Sequence, residues 1–402
     1  MKRIHYAWFV CLGGSLAMMA TLGLGLNMLS VYLPEIVQKG SFTNTQASWI
    51  TTVRLIFTVG TMFFVNQLCS CFGLRRAITL GVTLVACSFF IFAAADSFFL
   101  FCCATALMGT GYCLASIVPL SLTAGRWFHS RRSLAMGLIS AGSGISTIIA
   151  PTLITRSTAA FGLDRTFVLQ GVVILLFAAL VWLLIRNDPA ELGLSAYDDR
   201  TDPGDAAQAV RGEVRHLPAW QSFAILFAAV LIGGPIGATF PYLSTLYRTE
   251  GYSEMVVAGL VSFLGITLIL GKIVCGQVYD RVGGFRGNFF AGGLLLVGLV
   301  LLCLAPTGSI PVAVAALTAY GLGLAVTTVT PARWAGDLYG EAGYDRAVRS
   351  ITLANSIGSL IICPIPGMLA DRFGSYVPAY GMFAALMLAA LIIIQPIYAA
   401  RR

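Results

Sequence analysis

Two cations lie deep inside apolar stretches of this chain. Lys272 falls in the run 255–279, eight residues before Asp280, which at 1.5 Å per residue places it about 12 Å in from the end of that run. Arg54 falls about seven residues into the run 47–69 and is flanked at helical spacing by Thr51, Thr58 and Thr61. A charge at the centre of a bilayer costs roughly 2.5 to 3.5 kcal/mol, so such a side chain should face the interior of a helix bundle and have a use there. The use open to a fixed cation is to receive an anion. Ser262, Gly265, Lys272 and Gly276 share one helical face with little bulk, which would leave room for one. The competing reading is that Lys272 snorkels to the nearer interface, and that Arg54 snorkels or caps a helix. All seventeen acids lie in loops or near the ends of apolar runs, Glu35 being the most embedded.

Neutral polar residues recur at similar spacing. They are Asn27 and Ser30, Tyr112 and Ser116, Ser140 and Thr147, Thr239 and Tyr242, Tyr320 and Thr327, and Asn355 and Ser359. Such residues either hold membrane helices together or line a path between them. Asn27, Tyr112, Tyr242, Thr327 and Asn355 are the candidates to join Lys272 and Arg54 at a binding site, with Tyr242 and Asn355 foremost. Catalysis has no comparable support. His5, His129 and His216 sit in the tail or in loops, no nucleophile stands beside a base, and the ten cysteines show no metal-ligand spacing. Neither an enzyme, nor a bound metal, nor a cofactor is expected.

The elements that must position these residues follow from composition. Of 402 residues, 58% are hydrophobic and 10% charged, against roughly 25% charged in a soluble domain. Apolar runs fall near 7–34, 47–69, 77–95, 98–124, 133–158, 166–185, 220–247, 255–279, 288–305, 310–332, 347–370 and 376–398. Each is long enough for a membrane helix. The first is too long for a secretory signal and ends without a small-residue cleavage site. With the N-terminus cytoplasmic, inside segments hold eighteen Lys and Arg residues and outside segments five, a bias that predicts both termini on the cytoplasmic side. The net charge of +8 is therefore a matter of orientation in a lipid bilayer, not of nucleic-acid binding.

The chain also repeats. Gly23, Tyr32, Phe42, Gly73 and Arg76 match Gly233, Tyr242, Tyr252, Gly283 and Arg286 at an offset of 210, and Gly109, Gly111 and Pro119 match Gly321, Gly323 and Pro331 at 212. The stretch 187–218 is polar and holds seven of the acids with Pro189 and Pro203. The expected organisation is a six-helix half over 1–186, a cytoplasmic linker over 187–219 and a second six-helix half over 220–402. Tandem halves around a midplane site form a transporter architecture.

After the eighth run comes Gly276-Gln-Val-Tyr-Asp280-Arg281-Val-Gly283-Gly-Phe-Arg286, which resembles the loop signature of the major facilitator superfamily. The loop after the second run keeps the spacing in Asn66 to Arg76, with Gly73, Arg75 and Arg76 present, but Ser70 stands where the acid belongs. A carboxylate and arginines beside helix ends can latch two halves on the cytoplasmic side. Gly276, Asp280, Arg281, Gly283 and Arg286, with Arg75, Arg76 and Arg126, are the gating candidates. The segment Gly125-Arg126-Trp127-Phe128 through Arg131, Arg132, Ala135 and Gly137, then Ala141 to Gly144 and Asp188-Pro189-Ala-Glu191-Leu-Gly193, resembles the oxalate/formate antiporter and monocarboxylate porter branch.

That resemblance implies an all-α membrane protein of twelve transmembrane helices in two six-helix pseudo-repeat halves, with a substrate-binding arginine at the position of Lys272. It implies alternating-access transport of a small organic anion, a mono- or dicarboxylate, with a counter-anion or a proton as coupling species, and an integral location expected in a bacterial inner membrane. Two departures bear on it. Asn355 stands where some oxalate-type members carry a second basic residue, and Leu268 stands where animal-type proton-coupled carriers have an aspartate. The alternatives are proton-coupled efflux of amphipathic drugs, which favours an embedded carboxylate, and a non-transporting membrane sensor.

Overall fold

The apolar runs become helices because a backbone in lipid must satisfy its own N–H and C=O groups. The computed structural model describes residues 5–128, 132–197, 217–324 and 326–400, and within its helices the side chains of Asp280 and Thr327 are among those left outside the description. Most of the linker expected over 187–219 also falls outside the described residues. By contacts the chain divides into two units, Met1–Phe42 with Trp49–Thr201, and Thr43–Ser48 with Asp202–Arg402. No described residue belongs to a β-strand longer than an isolated bridge.

Unit 1 carries α1 (Ala7–Gly40), α2 (Asn44–Phe72, less its first turn), α3 (Leu74–Ala93), α4 (Phe98–Trp127), α5 (Arg132–Phe161) and α6 (Leu163–Leu184). Met19–Asn27 in α1 is a π-helical stretch, a distortion that tends to occur at functional sites. The aromatic core is built from Tyr32, Phe89, Phe92, Phe101 and Phe167, with Tyr32 and Phe167 ring centres 4.7 Å apart. At one end Lys39 reaches Asp164 at 2.7 Å and Asp96 at 3.6 Å, drawing together the end of α1, the α3–α4 loop and the start of α6. At the other end Asn187 Oδ1 accepts the Arg75 backbone N–H at 2.9 Å, and the Arg75 guanidinium lies 3.9 Å over the Trp182 ring. Arg126 pairs with Asp188 at 3.1 Å, and Tyr197 N–H bonds to the Trp127 carbonyl at 2.8 Å. Residues 187–197 are therefore docked on unit 1.

Unit 2 carries α7 (Ala219–Thr249), α8 (Glu254–Tyr279), α9 (Arg281–Leu302), α10 (310–339), α11 (Arg346–Phe373) and α12 (Val377–Ala399). Eleven described helices are long and apolar enough to cross a membrane. The twelfth, α10, is apolar over Ile310–Gly323 and continues from Val326. Gly283 turns α8 into α9 at φ 77°, and Gly340 ends α10 at φ 72°, a backbone region that only glycine enters cheaply. Gly73, the repeat mate of Gly283, turns α2 into α3 at φ 80°. A buried knot ties α8, α9 and α10 together: Asn288 Oδ1 accepts from Tyr279 Oη at 2.8 Å and from Trp334 Nε1 at 2.9 Å. The periphery of each unit is greasy, with Phe99 72% and Phe223 70% exposed. Lipid covers such faces without cost.

Candidate functional site

In unit 1 the embedded cation is inside the protein. Arg54 on α2 is only 6% exposed. A snorkelling side chain would be exposed. Thr58 Oγ1 donates to the Arg54 carbonyl at 2.9 Å and stands 3.1 Å from the Gly109 carbonyl. A Cβ at Gly109 would collide with the Arg54 carbonyl oxygen, so glycine there lets α4 press against α2. Tyr112 follows Gly109 by three residues on α4, so it stands within one helical turn of the point where α4 presses against Arg54 of α2. The two sequence candidates Arg54 and Tyr112 are thus brought together. Asn27 is placed elsewhere in the unit. Its Nδ2 donates to Thr147 Oγ1 at 2.9 Å, where the π-helical stretch of α1 ends beside α5. Gln170 Nε2, which the sequence reading passed over, donates to the Leu24 carbonyl at 2.9 Å inside that same stretch. A wider helical turn frees carbonyls, and a buried glutamine takes one up.

In unit 2 the α8 helix has three distinct faces around Lys272. Thr267, Gly271 and Cys275 lie against α10: Thr267 Oγ1 is 3.3 Å from the Leu317 carbonyl, Cys275 Sγ is 3.4 Å from the Leu322 carbonyl, and a side chain at Gly271 would strike the Leu322 backbone. Ile266, Leu270 and Ile273 form an exposed stripe at 43%, 49% and 54%. Lys272 falls on the remaining face with Gly265, Leu268 and Gly276, and is half-buried. Nothing lies within 4 Å of where a Gly276 Cβ would stand, so one turn from the ammonium there is open space. Among the described residues the Lys272 ammonium has no hydrogen bond and no ion pair.

The neutral candidates of unit 2 divide. Tyr242 is fully buried, donates its hydroxyl to the Cys363 carbonyl at 2.9 Å and stacks on Tyr376 with centres 5.7 Å apart. It holds α7 to α11. Asn355 is half-buried, and its Oδ1 is sealed from solvent without a hydrogen-bond donor, while its carbonyl accepts from Ser359 Oγ at 3.1 Å. The Thr327 side chain lies outside the described residues. Of the gating candidates, Arg75 and Arg126 are engaged inside unit 1 as described above, and Arg76, Arg281 and Arg286 are exposed. Gly283 is the turn between α8 and α9, and the Asp280 side chain lies outside the described residues. Among the described residues no group of three or more His, Cys, Asp or Glu is placed to hold a metal ion.

With that geometry in hand, the comparisons with known proteins fall on one family. The sequence profile described as Major Facilitator Superfamily matches residues 15–362. Monocarboxylate transporter 13 of Bos taurus is 26% identical over 386 residues, covering 96% of this chain and 87% of its own. An agnestins efflux protein of Paecilomyces divaricatus is 23% identical over 333 residues, covering 83% of this chain and 73% of its own. Among solved structures, that of the nucleoside transporter NupG aligns with a TM-score of 0.76 at 10% identity, covering 95% of this chain and 98% of the other. At that identity the likeness concerns the fold alone.

Proposed function

The chain belongs to the Major Facilitator Superfamily and is a membrane transporter, not an enzyme, and we propose that its cargo is a small organic anion, a mono- or dicarboxylate, moved by alternating access. The observation that carries this reading is Lys272. It is a cation inside a span, on a face of α8 that is neither packed on α10 nor part of the exposed stripe, and it lacks a described ion-pair partner. A protein bears the insertion cost of such a charge when a ligand completes it. The monocarboxylate transporter among the relatives supports the same class. Arg54 with Tyr112 offers a second cationic locus, Asn355 a half-buried amide whose NH2 can donate to an anion, and the loops around Asp280 and Ser70 the cytoplasmic gate. Both termini are cytoplasmic in this reading, by the eighteen-to-five distribution of basic residues. The animal and fungal relatives give no support to a bacterial inner membrane.

Exchange fits the residues better than proton coupling. Leu268 stands one turn before Lys272 where a proton-accepting aspartate would be needed, whereas one anion can displace another at a fixed ammonium without any titrating group. The second reading, efflux of an amphipathic metabolite, is favoured by the fungal relative named for efflux. A screen of radiolabelled two- to six-carbon mono- and dicarboxylates in proteoliposomes, with and without internal anion, separates the two. Saturable uptake stimulated by internal anion is the expected result. An absence of carboxylate uptake alongside extrusion of an amphipathic dye would overturn it.

A further inference from the structure

Within unit 1 the last turn of α6 and the first turn of α3 meet beside the docked residues 187–197, and three arginines gather there. Arg75 Nε donates to the Trp182 carbonyl at 2.9 Å, and Arg186 Nη1 reaches the same oxygen at 3.4 Å and the Ile185 carbonyl at 3.4 Å. Arg76 is the next residue on α3 and is exposed. Capping the last carbonyls of a helix is an ordinary task for arginine, but here it occupies one nitrogen of each guanidinium and leaves the other donors unspent. Nor does it settle the charge, because a helix end offers about half a negative charge and faces three cations. The nearby acids have other partners. Asp188 pairs with Arg126 at 3.1 Å, and Glu191 accepts from Asn187 Nδ2 at 2.8 Å. Among the described residues no carboxylate stands within ion-pair distance of Arg75, Arg76 or Arg186.

Behind these cations the two helices present apolar side chains outward. Leu176, Leu180 and Leu183 on α6 are exposed, at spacings of four and three that put them on one face, and Leu80 on α3, one turn from Arg76, is exposed as well. Trp182 is exposed at the boundary, with the Arg75 guanidinium stacked over its ring. Tryptophan and arginine at a span end belong at the headgroup level of a bilayer. A ligand that answers both features has an anionic head and hydrocarbon tails.

Unit 2 closes the equivalent seam without charge. At the offset of 210 that pairs Gly73 with Gly283, Phe285 stands for Arg75. At the offset of 212 that separates Gly162 from Gly374, the glycines ahead of α6 and α12, Tyr398 stands for Arg186. Gln395 Nε2 on α12 donates to the Phe285 carbonyl at 3.3 Å, and Tyr398 Oη donates to Asp337 Oδ2 at 3.3 Å. The fold therefore does not need the arginines of unit 1.

We propose that Arg75, Arg76 and Arg186 bind the phosphate of an anionic phospholipid, whose acyl chains lie against the exposed leucines of α3 and α6. A guanidinium fork meets a phosphate with two parallel N–H···O bonds, and basic pockets between spans hold such headgroups. The proposal needs only a chain that spans a membrane and is independent of the solute carried.

The test uses the full-length chain in nanodiscs of equal parts phosphatidylcholine and phosphatidylglycerol, with the lipid kept on gentle release counted by native mass spectrometry. The parent should keep one phosphatidylglycerol in at least tenfold preference to phosphatidylcholine. Arg75→Gln and Arg186→Gln should each lower that preference at least fivefold, and Arg75→Lys, which keeps the charge without the fork, should fall between. Arg186→Gln and Arg75→Lys carry the test if Arg75→Gln is not recovered folded. Arg349→Gln, at an exposed arginine in the first turn of α11, should change nothing. Equal retention of the two lipids by the parent, an unchanged preference in Arg186→Gln, or an equal loss in Arg349→Gln would overturn the site. Displacement of the lipid by millimolar inorganic phosphate would overturn it too, by assigning the guanidiniums to a soluble anion.

Discussion

Replacing Lys272 by glutamine removes the ammonium while keeping length and polarity, and the anion reading predicts two effects of opposite sign. In the empty protein the cation has no described ion-pair partner, so its loss breaks no ion pair and relieves an insertion cost of roughly 2.5 to 3.5 kcal/mol. The melting temperature should stay level or rise. In the anion-bound protein the ammonium completes a charge pair, and truncating one side of a desolvated pair costs about 2 to 5 kcal/mol. Lys272 is half-buried, which keeps water near the pair and puts the loss toward the lower end, about 2 to 3 kcal/mol, or roughly a 30- to 150-fold weaker Kd. Lys272→Arg should retain binding with altered preference among carboxylates, since the guanidinium fork suits a planar carboxylate but is bulkier. The assay is direct binding to purified protein of whichever carboxylate saturates the parent, with a thermal scan on the same samples. An unchanged Kd in Lys272→Gln refutes the site. A large fall in melting temperature at unchanged affinity identifies Lys272 as a structural residue instead. Arg54→Gln measured beside it should weaken binding as much if Arg54 is a second clamp and far less otherwise.

Four further outcomes are expected. Asp280→Asn should slow uptake several-fold at matched expression while Ser70→Ala leaves it unchanged, because the loop after α8 keeps its acid and the loop after α2 has lost it; equal rates would remove the latch. On a cysteine-free background, single cysteines at Gln38 and Ser309 should react with an impermeant thiol reagent added outside and one at Gln208, which lies outside the described residues, should not, and the reverse pattern would invert the topology. Tyr242→Phe should cost about 1 kcal/mol of stability, the value of one hydrogen bond, and leave carboxylate affinity within twofold, a larger change in affinity restoring Tyr242 to the site. Asn288→Ala strips the acceptor from the buried Trp334 Nε1 and leaves Tyr279 Oη only Thr330 Oγ1 at 3.2 Å, and should lower stability by about 1 to 3 kcal/mol, visible as a clear drop in melting temperature. A drop of less than a degree or two would mean that the knot is already satisfied by water.

The spans and their repeat were legible because lipid imposes a simple rule. A stretch of about twenty apolar residues has few structures other than a helix to adopt there. Gly73 and Gly283 paired in the sequence, and both turn one helix into the next at positive φ. Lys272 and Arg54 were legible for the opposite reason, since a charge inside such a stretch is costly enough to stand out. What the sequence could not give was the company that residues keep. Arg75 reads as part of a gate, yet its backbone N–H and side chain are held by Asn187 and Trp182 in its own unit.

The neutral candidates show why rotation is the hard part. In a soluble helix the apolar stripe marks the core and the polar stripe marks water, so the sequence fixes which way each residue points. In a membrane helix the lipid side is as apolar as the packed side, and only small or polar residues carry directional information. Those residues serve both packing and binding. Tyr242 and Asn355 had equal claims by spacing, yet Tyr242 Oη is consumed by the Cys363 carbonyl while Asn355 Oδ1 is sealed away without a donor. The distinction rests on a single backbone carbonyl, that of Cys363, which lies where α11 is interrupted at Pro364 and takes the Tyr242 hydroxyl. A residue's type and period therefore nominate it for a site, and the backbone groups that its neighbours leave unsatisfied decide whether it is available.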